Sequence, residues 1–177
     1  MRRLLLGVTA VLFVATAARA ASAPSFGPND VRTLFLIAKS DDRDEVHYGI
    51  HLDKDCLPVG AEPVFAYWQQ IEQGPNVVEE LNALDRTVYG IDRQNVAKRA
   101  LDDSVVTMAI NAASDRTVTI GVRRQNGACV AEPMGLISGT RAQLERIFVH
   151  IAGFLRVDWV EIRGSANGRV IVERVKH

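Results

Sequence analysis

Long basic runs, a second long apolar run, cysteines beyond a single pair and any catalytic signature are all missing from this chain of 177 residues. Each absence narrows what the protein does. No Lys/Arg cluster is denser than Arg123-Arg124, so the electrostatic footprint of nucleic-acid binding is lacking and no nucleic-acid partner is expected. Past the N-terminus no apolar run reaches the roughly 20 residues that a spanning helix needs. "GLISGTR" (Gly135 to Arg141) sets a serine before a glycine but has neither the G-x-S-x-G spacing of a nucleophile elbow nor the lysine of a P-loop, and it reads as a turn. No period of about 20 to 50 residues repeats, which argues against a solenoid or propeller.

What is present begins with "MRRLLLGVTAVLFVATAARAASA". Arg2 and Arg3 precede an apolar run from Leu4 to Ala18, and Ala18-Arg19-Ala20 supplies the small residues of a cleavage site. This reads as a secretory signal peptide over residues 1–20, with Ala23 as the alternative end, taken by the general secretory route to the periplasm or beyond. Cleavage after Ala20 leaves 18 basic against 21 acidic side chains, a net charge near −3. Residues 21–30, "ASAPSFGPND", read as a flexible leader, and 31–177 as one domain, long enough to bury roughly 70% of its unfolded surface.

Cys56 and Cys129 both fall in the exported part. In an oxidising compartment a lone pair most often forms a disulfide, and a loop of this length is worth roughly 4 kcal/mol in the chain-entropy model. The competing reading is a nucleophilic thiol with a histidine partner.

Period-two alternation dominates the rest. "TLFLIAK" carries five apolar residues in a row, Leu34 to Ala38, and reads as a strand buried on both faces. "VFAYWQQI" (Val64 to Ile71), "VVTMAI", "TVTIGV", "LERIFVHI" and "WVEIRGSANGRVIVERV" follow as strands, with Asn126-Gly127 and Asn167-Gly168 at hairpin turns. "PNVVEELNALDR" has a helical period, placing Val77, Val78, Leu81 and Leu84 on one face with Asn76 at the N-cap. "NVAKRALDD" (Asn95 to Asp103) reads as a second, weaker helical turn. The expected fold is mainly β, an antiparallel sandwich or barrel of about ten short strands with one short helix.

"EVHYGIHLDKDC" (Glu45 to Cys56) holds the densest chemistry. Val46, Tyr48, Ile50 and Leu52 form an apolar row, and Glu45, His47, Gly49, His51 and Asp53 a polar one, as on a half-buried strand. Strand spacing separates His47 from His51 by roughly 13 Å, too far to chelate one ion together. No cofactor is expected, and His51 with Asp53 is the one pair left as a candidate metal site. "DKDCLP" starts like a calcium loop but lacks its glycine. Alternation sets His150 beside Arg146 and Phe148 on a strand face, and His177 ends the chain. Phe65, Tyr67 and Trp68, with Tyr48, Tyr89 and Trp159, read mostly as core; the functional reading is a platform for a small ligand or glycan, with Tyr48, Tyr67 and Trp68 as the candidate binding residues. Parity puts Tyr67 and Trp68 on opposite faces.

Taken together, "LFLIAKS", "EVHYGIHLD", "EPVFAYW", the short helix, "VYGI" and the late "VEIRGSANGRVIVERV" hairpin resemble the exported bacterial domains grouped as the domain of unknown function 4833 family, over about Thr33 to Val175. The resemblance implies a strand pattern and no assigned activity, so it carries no role to His47, Tyr48, Tyr67, Trp68, Tyr89 or Gly90. With no catalytic signature, the chain reads as a non-catalytic envelope module that binds a small ligand, glycan or envelope protein. Its alternatives are a hydrolase-like enzyme with a metal site assembled from strands and a structural or assembly subunit.

Overall fold

The computed structural model describes residues 23–40, 43–74, 76–98, 104–153 and 156–176. The expected signal peptide (1–20), the end of the expected second helical turn and His177 lie outside them. The elements are β1 (Val31–Lys39), β2 (Glu45–Ile50), β3 (Val64–Gln69), β4 (Val78–Glu80), α1 (Ala83–Tyr89), β5 (Ile91–Lys98), β6 (Ser104–Ile110), β7 (Ala113–Gln125), β8 (Ala128–Ile137), β9 (Thr140–Ala152), β10 (Arg156–Ala166) and β11 (Arg169–Lys176). The protein is mainly β, with one short helix among the described residues.

All the strands join one sheet, in the order β4-β3-β2-β1-β9-β8-β7-β6-β5, with β10 and β11 attached through β9. β9 is the junction. Its Gln143 pairs with Met134 of β8 on one side and Ser165 of β10 on the other, and its Ile147 pairs with Ile37 of β1 and Ile162 of β10. A strand has two edges, so β10 takes one while β8 and β1 share the other in succession. β1 meets β9 in parallel, whereas every other strand pairing is antiparallel. The sheet is therefore mixed, and it curls as an open half-barrel instead of forming a wholly antiparallel sandwich. The parallel pair arises from a connection that runs from β1 through most of the chain before β9 returns, a separation that local alternation does not register.

The turns follow their sequence signals. Asn126-Gly127, Ser138-Gly139 and Asn167-Gly168 all have positive φ at both positions, from 49° to 80°, as a two-residue hairpin turn requires. The helix starts later than its period suggests. Val78 to Glu80 pair with β3 as β4, and α1 is capped by Asn82, whose Oδ1 accepts from Leu84 N at 2.8 Å and Asp85 N at 2.9 Å. Asp85 returns a bond to Asn82 N, completing a capping box that outcompetes Asn76. Asn95 to Lys98, the described part of the stretch read as a helical turn, belongs instead to β5.

The core lies inside the curl. Phe35, Ile37, Val46, Tyr48 and Ile50 from β1 and β2 cluster with Val106, Met108, Ile120, Val122 and Ile137 from β6, β7 and β8, all below 2% exposed except Val122 at 2%. Tyr48 stacks on Phe35 with centroids 4.6 Å apart, and its hydroxyl donates to the Tyr89 carbonyl at 2.5 Å, so the one polar atom of that ring is satisfied at depth. Burial raises the Tyr48 phenol well above its ordinary pKa.

A Cys56–Cys129 disulfide ties the loop after β2 to β8 across 73 residues of sequence. Replacing both cysteines with serine is expected to cost about 4 kcal/mol and lower Tm by about 10 °C, read by thermal unfolding without reductant.

Candidate functional site

The curl brings β3 alongside β5, yet among the described residues no strand ladder joins them. One side chain bridges the gap instead. The Gln94 amide accepts from Val64 N at 2.9 Å through Oε1 and donates to Val64 O at 3.3 Å through Nε2, standing in for the neighbour strand that Val64 lacks. Beside this clip the seam opens into a cleft of about 720 Å³. Val64, Phe65 and Ala66 of β3 and Leu81 and Ile91 give it an apolar floor; His51, Glu62, Glu80, Arg86, Asp92 and Asn111 bring polar groups to it.

Local structure places each of these. The Trp68 indole N–H donates to Asp85 Oδ2 at 2.8 Å, locking the first turn of α1 onto β3. Trp68 also packs edge-on against Tyr89 at the helix end. Between these two anchors Arg86 faces the cleft, its Nε donating to Leu81 O at 2.9 Å while its carbonyl accepts from Asn111 Nδ2 at 2.7 Å. Gly90 then turns the chain into β5 where a Cβ would collide with the Arg86 carbonyl, so no side chain is tolerated there.

His51 is held by an acid. Asp30, at the end of the leader, accepts from His51 Nδ1 at 2.8 Å, Gly27 N at 2.7 Å and Leu52 N at 3.1 Å. Its side chain is 3% exposed. Burial pushes the Asp30 carboxyl up, but the Gly27, His51 and Leu52 donors together outweigh it and leave the pKa below its ordinary 3.8. An ionised Asp30 fixes the proton on Nδ1 and leaves Nε2 as an acceptor in the neutral ring. The ring lies 4.3 Å from Phe65, which in turn lies over Gly49, its cross-strand partner. A side chain at Gly49 would strike the Phe65 ring and come within 2.7 Å of the Arg32 carbonyl.

The family model described as a domain of unknown function (DUF4833) matches residues 35–174. The chain belongs to this family. Searches of curated proteins and of solved structures found no match to it.

Within this DUF4833 domain the residues singled out from sequence separate. Tyr48 is fully buried and Trp68 is 7% exposed, both inside the curl, so neither ring faces the cleft. Tyr67, 4% exposed, points to the other face as parity requires and packs against Phe26 of the leader at 5.1 Å and His47 at 5.6 Å. His47 contacts Thr33 Oγ1 at 3.0 Å and Glu45 Oε2 at 3.3 Å, and burial lowers its pKa against the opposing pull of Glu45. Asp53 does not join His51: its Oδ1 accepts from Asp55 N and Leu57 N, each at 2.9 Å, and builds the turn that presents Cys56. Among the described residues no three His, Cys, Asp or Glu side chains are grouped to hold a metal ion. His150 lies flat on Trp159 at 5.0 Å on the outer face of β9 and β10.

Asp30, Gln94, Arg86 and Asn111 escaped the sequence reading. Asp30 follows a Gly-Pro-Asn turn, a weak hint of a carboxylate that caps local backbone; Gln94 and Asn111 sit in ordinary strand and turn contexts with no signal. Because the folded pKa of Asp30 is depressed, its contribution is fully present above pH 3.8 and is lost as pH falls through the lower folded value. Asp30→Asn is therefore expected to lower the urea midpoint at neutral pH, with the gap to wild type closing as pH drops below 3.8.

Proposed function

We propose that this DUF4833 domain is a non-catalytic binding module of the cell envelope that holds a polar, glycan-type ligand in the seam between β3 and β5. The observation that carries the reading is the composition of the cleft: an apolar strip of Val64, Phe65, Ala66 and Ile91 bordered by carboxylates (Glu62, Glu80, Asp92), a guanidinium (Arg86), an amide (Asn111) and the His51 ring. Ring-shaped polyols match this mixture, since a hydroxyl both donates to a carboxylate and accepts from a guanidinium or amide, while the C–H face of the sugar lies on apolar surface. A signal-peptide-like start and the disulfide favour an oxidising, exported setting. Among the described residues no helix is long and apolar enough to cross a membrane.

A second reading rests on the Asp30–His51 pair. A carboxylate-oriented imidazole on a cleft wall is also how hydrolytic bases and metal ligands are held, so a hydrolase-like enzyme is the alternative. Stoichiometric zinc or iron in the native protein would favour it over the binding module.

Amide chemical-shift mapping with a panel of cell-wall and polysaccharide oligosaccharides tests the primary reading. Saturable shifts are expected at Ala66, Leu81, Ile91 and Asn111, and Glu80→Gln is expected to weaken binding about tenfold, equivalent to about 1.4 kcal/mol. Shifts confined to the outer faces, or none across the panel, contradict it.

A further inference from the structure

We propose that the outer face of β9, β10 and β11 is a docking surface for an anionic phospholipid membrane. The charge of the chain is split along its length. Residues 140–177 hold seven basic against four acidic side chains, whereas residues 21–139 hold eleven against seventeen. β9, β10 and β11 all lie in the basic segment, so the positive excess falls on three neighbouring strands. An acidic body with one basic sheet is steered basic side first toward a negatively charged surface.

Strand register sets out the groups on that face, because cross-strand partners share a side of the sheet. Arg163 of β10 stands between Arg146 of β9 and Val172 of β11, and Trp159 between His150 and Lys176. Two directly opposed guanidiniums cost stability in a sheet until a negative charge comes between them. Among the described residues Arg163 has no hydrogen-bond or ion-pair partner, and Arg146 has only Glu45, at 3.9 Å. Both arginines border a depression of about 170 Å³ with Phe148 and Glu161, room for a phosphate at about 30 Å³ per heavy atom. Glu161 does not neutralise the pair, since its carboxylate already accepts from Arg174 Nη2 at 2.8 Å.

Apolar groups on the same face select a lipid surface as the source of that phosphate. Val170 and Val172 are 57% and 47% exposed, set beside Ser165 and Arg163. The Trp159 ring stacks on His150 at 5.0 Å and carries the Arg174 guanidinium 4.1 Å from its centroid, which braces it on the surface. Exposed valines do nothing for a dissolved anion. At a bilayer the arginines meet headgroup phosphates while the valines and the indole enter the interfacial layer.

Sedimentation of the exported, processed protein with equimolar vesicles of phosphatidylglycerol and phosphatidylcholine, and separately with phosphatidylcholine vesicles, tests this. Binding is expected to be at least about tenfold stronger on the anionic vesicles and to weaken as salt rises. Arg146→Gln with Arg163→Gln is expected to weaken it about tenfold or more, and Val172→Asp to weaken it through the apolar part of the face, with thermal unfolding of each variant reporting its fold. Trp159 emission should shift to the blue on anionic vesicles; Trp68, 7% exposed in the core, does not follow, so Trp159→Phe removes the shift. Equal binding to both vesicle types, no binding by about 1 mM lipid, or undiminished binding by either folded variant overturns the surface. A blue shift that survives in Trp159→Phe overturns the assignment to this face.

Discussion

The sharing of one edge of β9 between β8 and β1 is the constraint on which the molecule depends. Two runs of sheet leave that edge, one through β1, β2 and β3 and the other through β8, β7, β6 and β5, while β10 and β11 close the opposite side. Two strands cannot occupy one edge at the same point, so the runs diverge, and the right-handed twist of each brings their inner faces together over Tyr48, Phe35, Met108 and Ile120. The buried core is thus a consequence of the junction.

Divergence at β9 also dictates where the sheet fails to close. β3 and β5 approach without pairing among the described residues, and unlike connections hold the halves together, among them the Gln94 amide on Val64, the Tyr48 hydroxyl on the Tyr89 carbonyl, Arg124 on the Lys54 carbonyl and the disulfide from Cys56 to Cys129. The unsealed seam becomes a cleft because side chains bridge it at points instead of along a ladder. Near the junction itself, the Gly135 and Ala142 pair leaves a gap in the inner wall. Both cavities therefore trace to the same topology, one where the halves meet and the other where they part.

Much of the architecture was legible because it rests on local chemistry. Alternation located most strands and placed Tyr67 and Trp68 on opposite faces, the Asn-Gly pairs marked their turns, and the cysteine pair is bonded. Features decided by distant contacts were not. The parallel β1 and β9 pair joins segments about a hundred residues apart, and Val78 to Glu80 keep a helical period but gain more from the edge of β3 than from an isolated first turn. At the site, the polar row of β2 correctly put His47 and His51 apart, while the partner of His51 is Asp30 in the leader and not Asp53. Tyr48 and Trp68 look like ligand platforms in a string of residues, yet only their partners, Tyr89 and Asp85, show that their polar atoms are spent on the core.

Amide hydrogen exchange at Val64 tests most directly whether the cleft is an unsealed seam held by a side chain. In the wild type the Val64 amide should be protected, and Gln94→Ala should speed its exchange by about tenfold or more, corresponding to the loss of about 1.4 kcal/mol of local protection, with Tyr48 and Ile50 unchanged. Unaltered exchange at Val64 in the variant, or equal acceleration across β1, β2 and β3, would contradict the account.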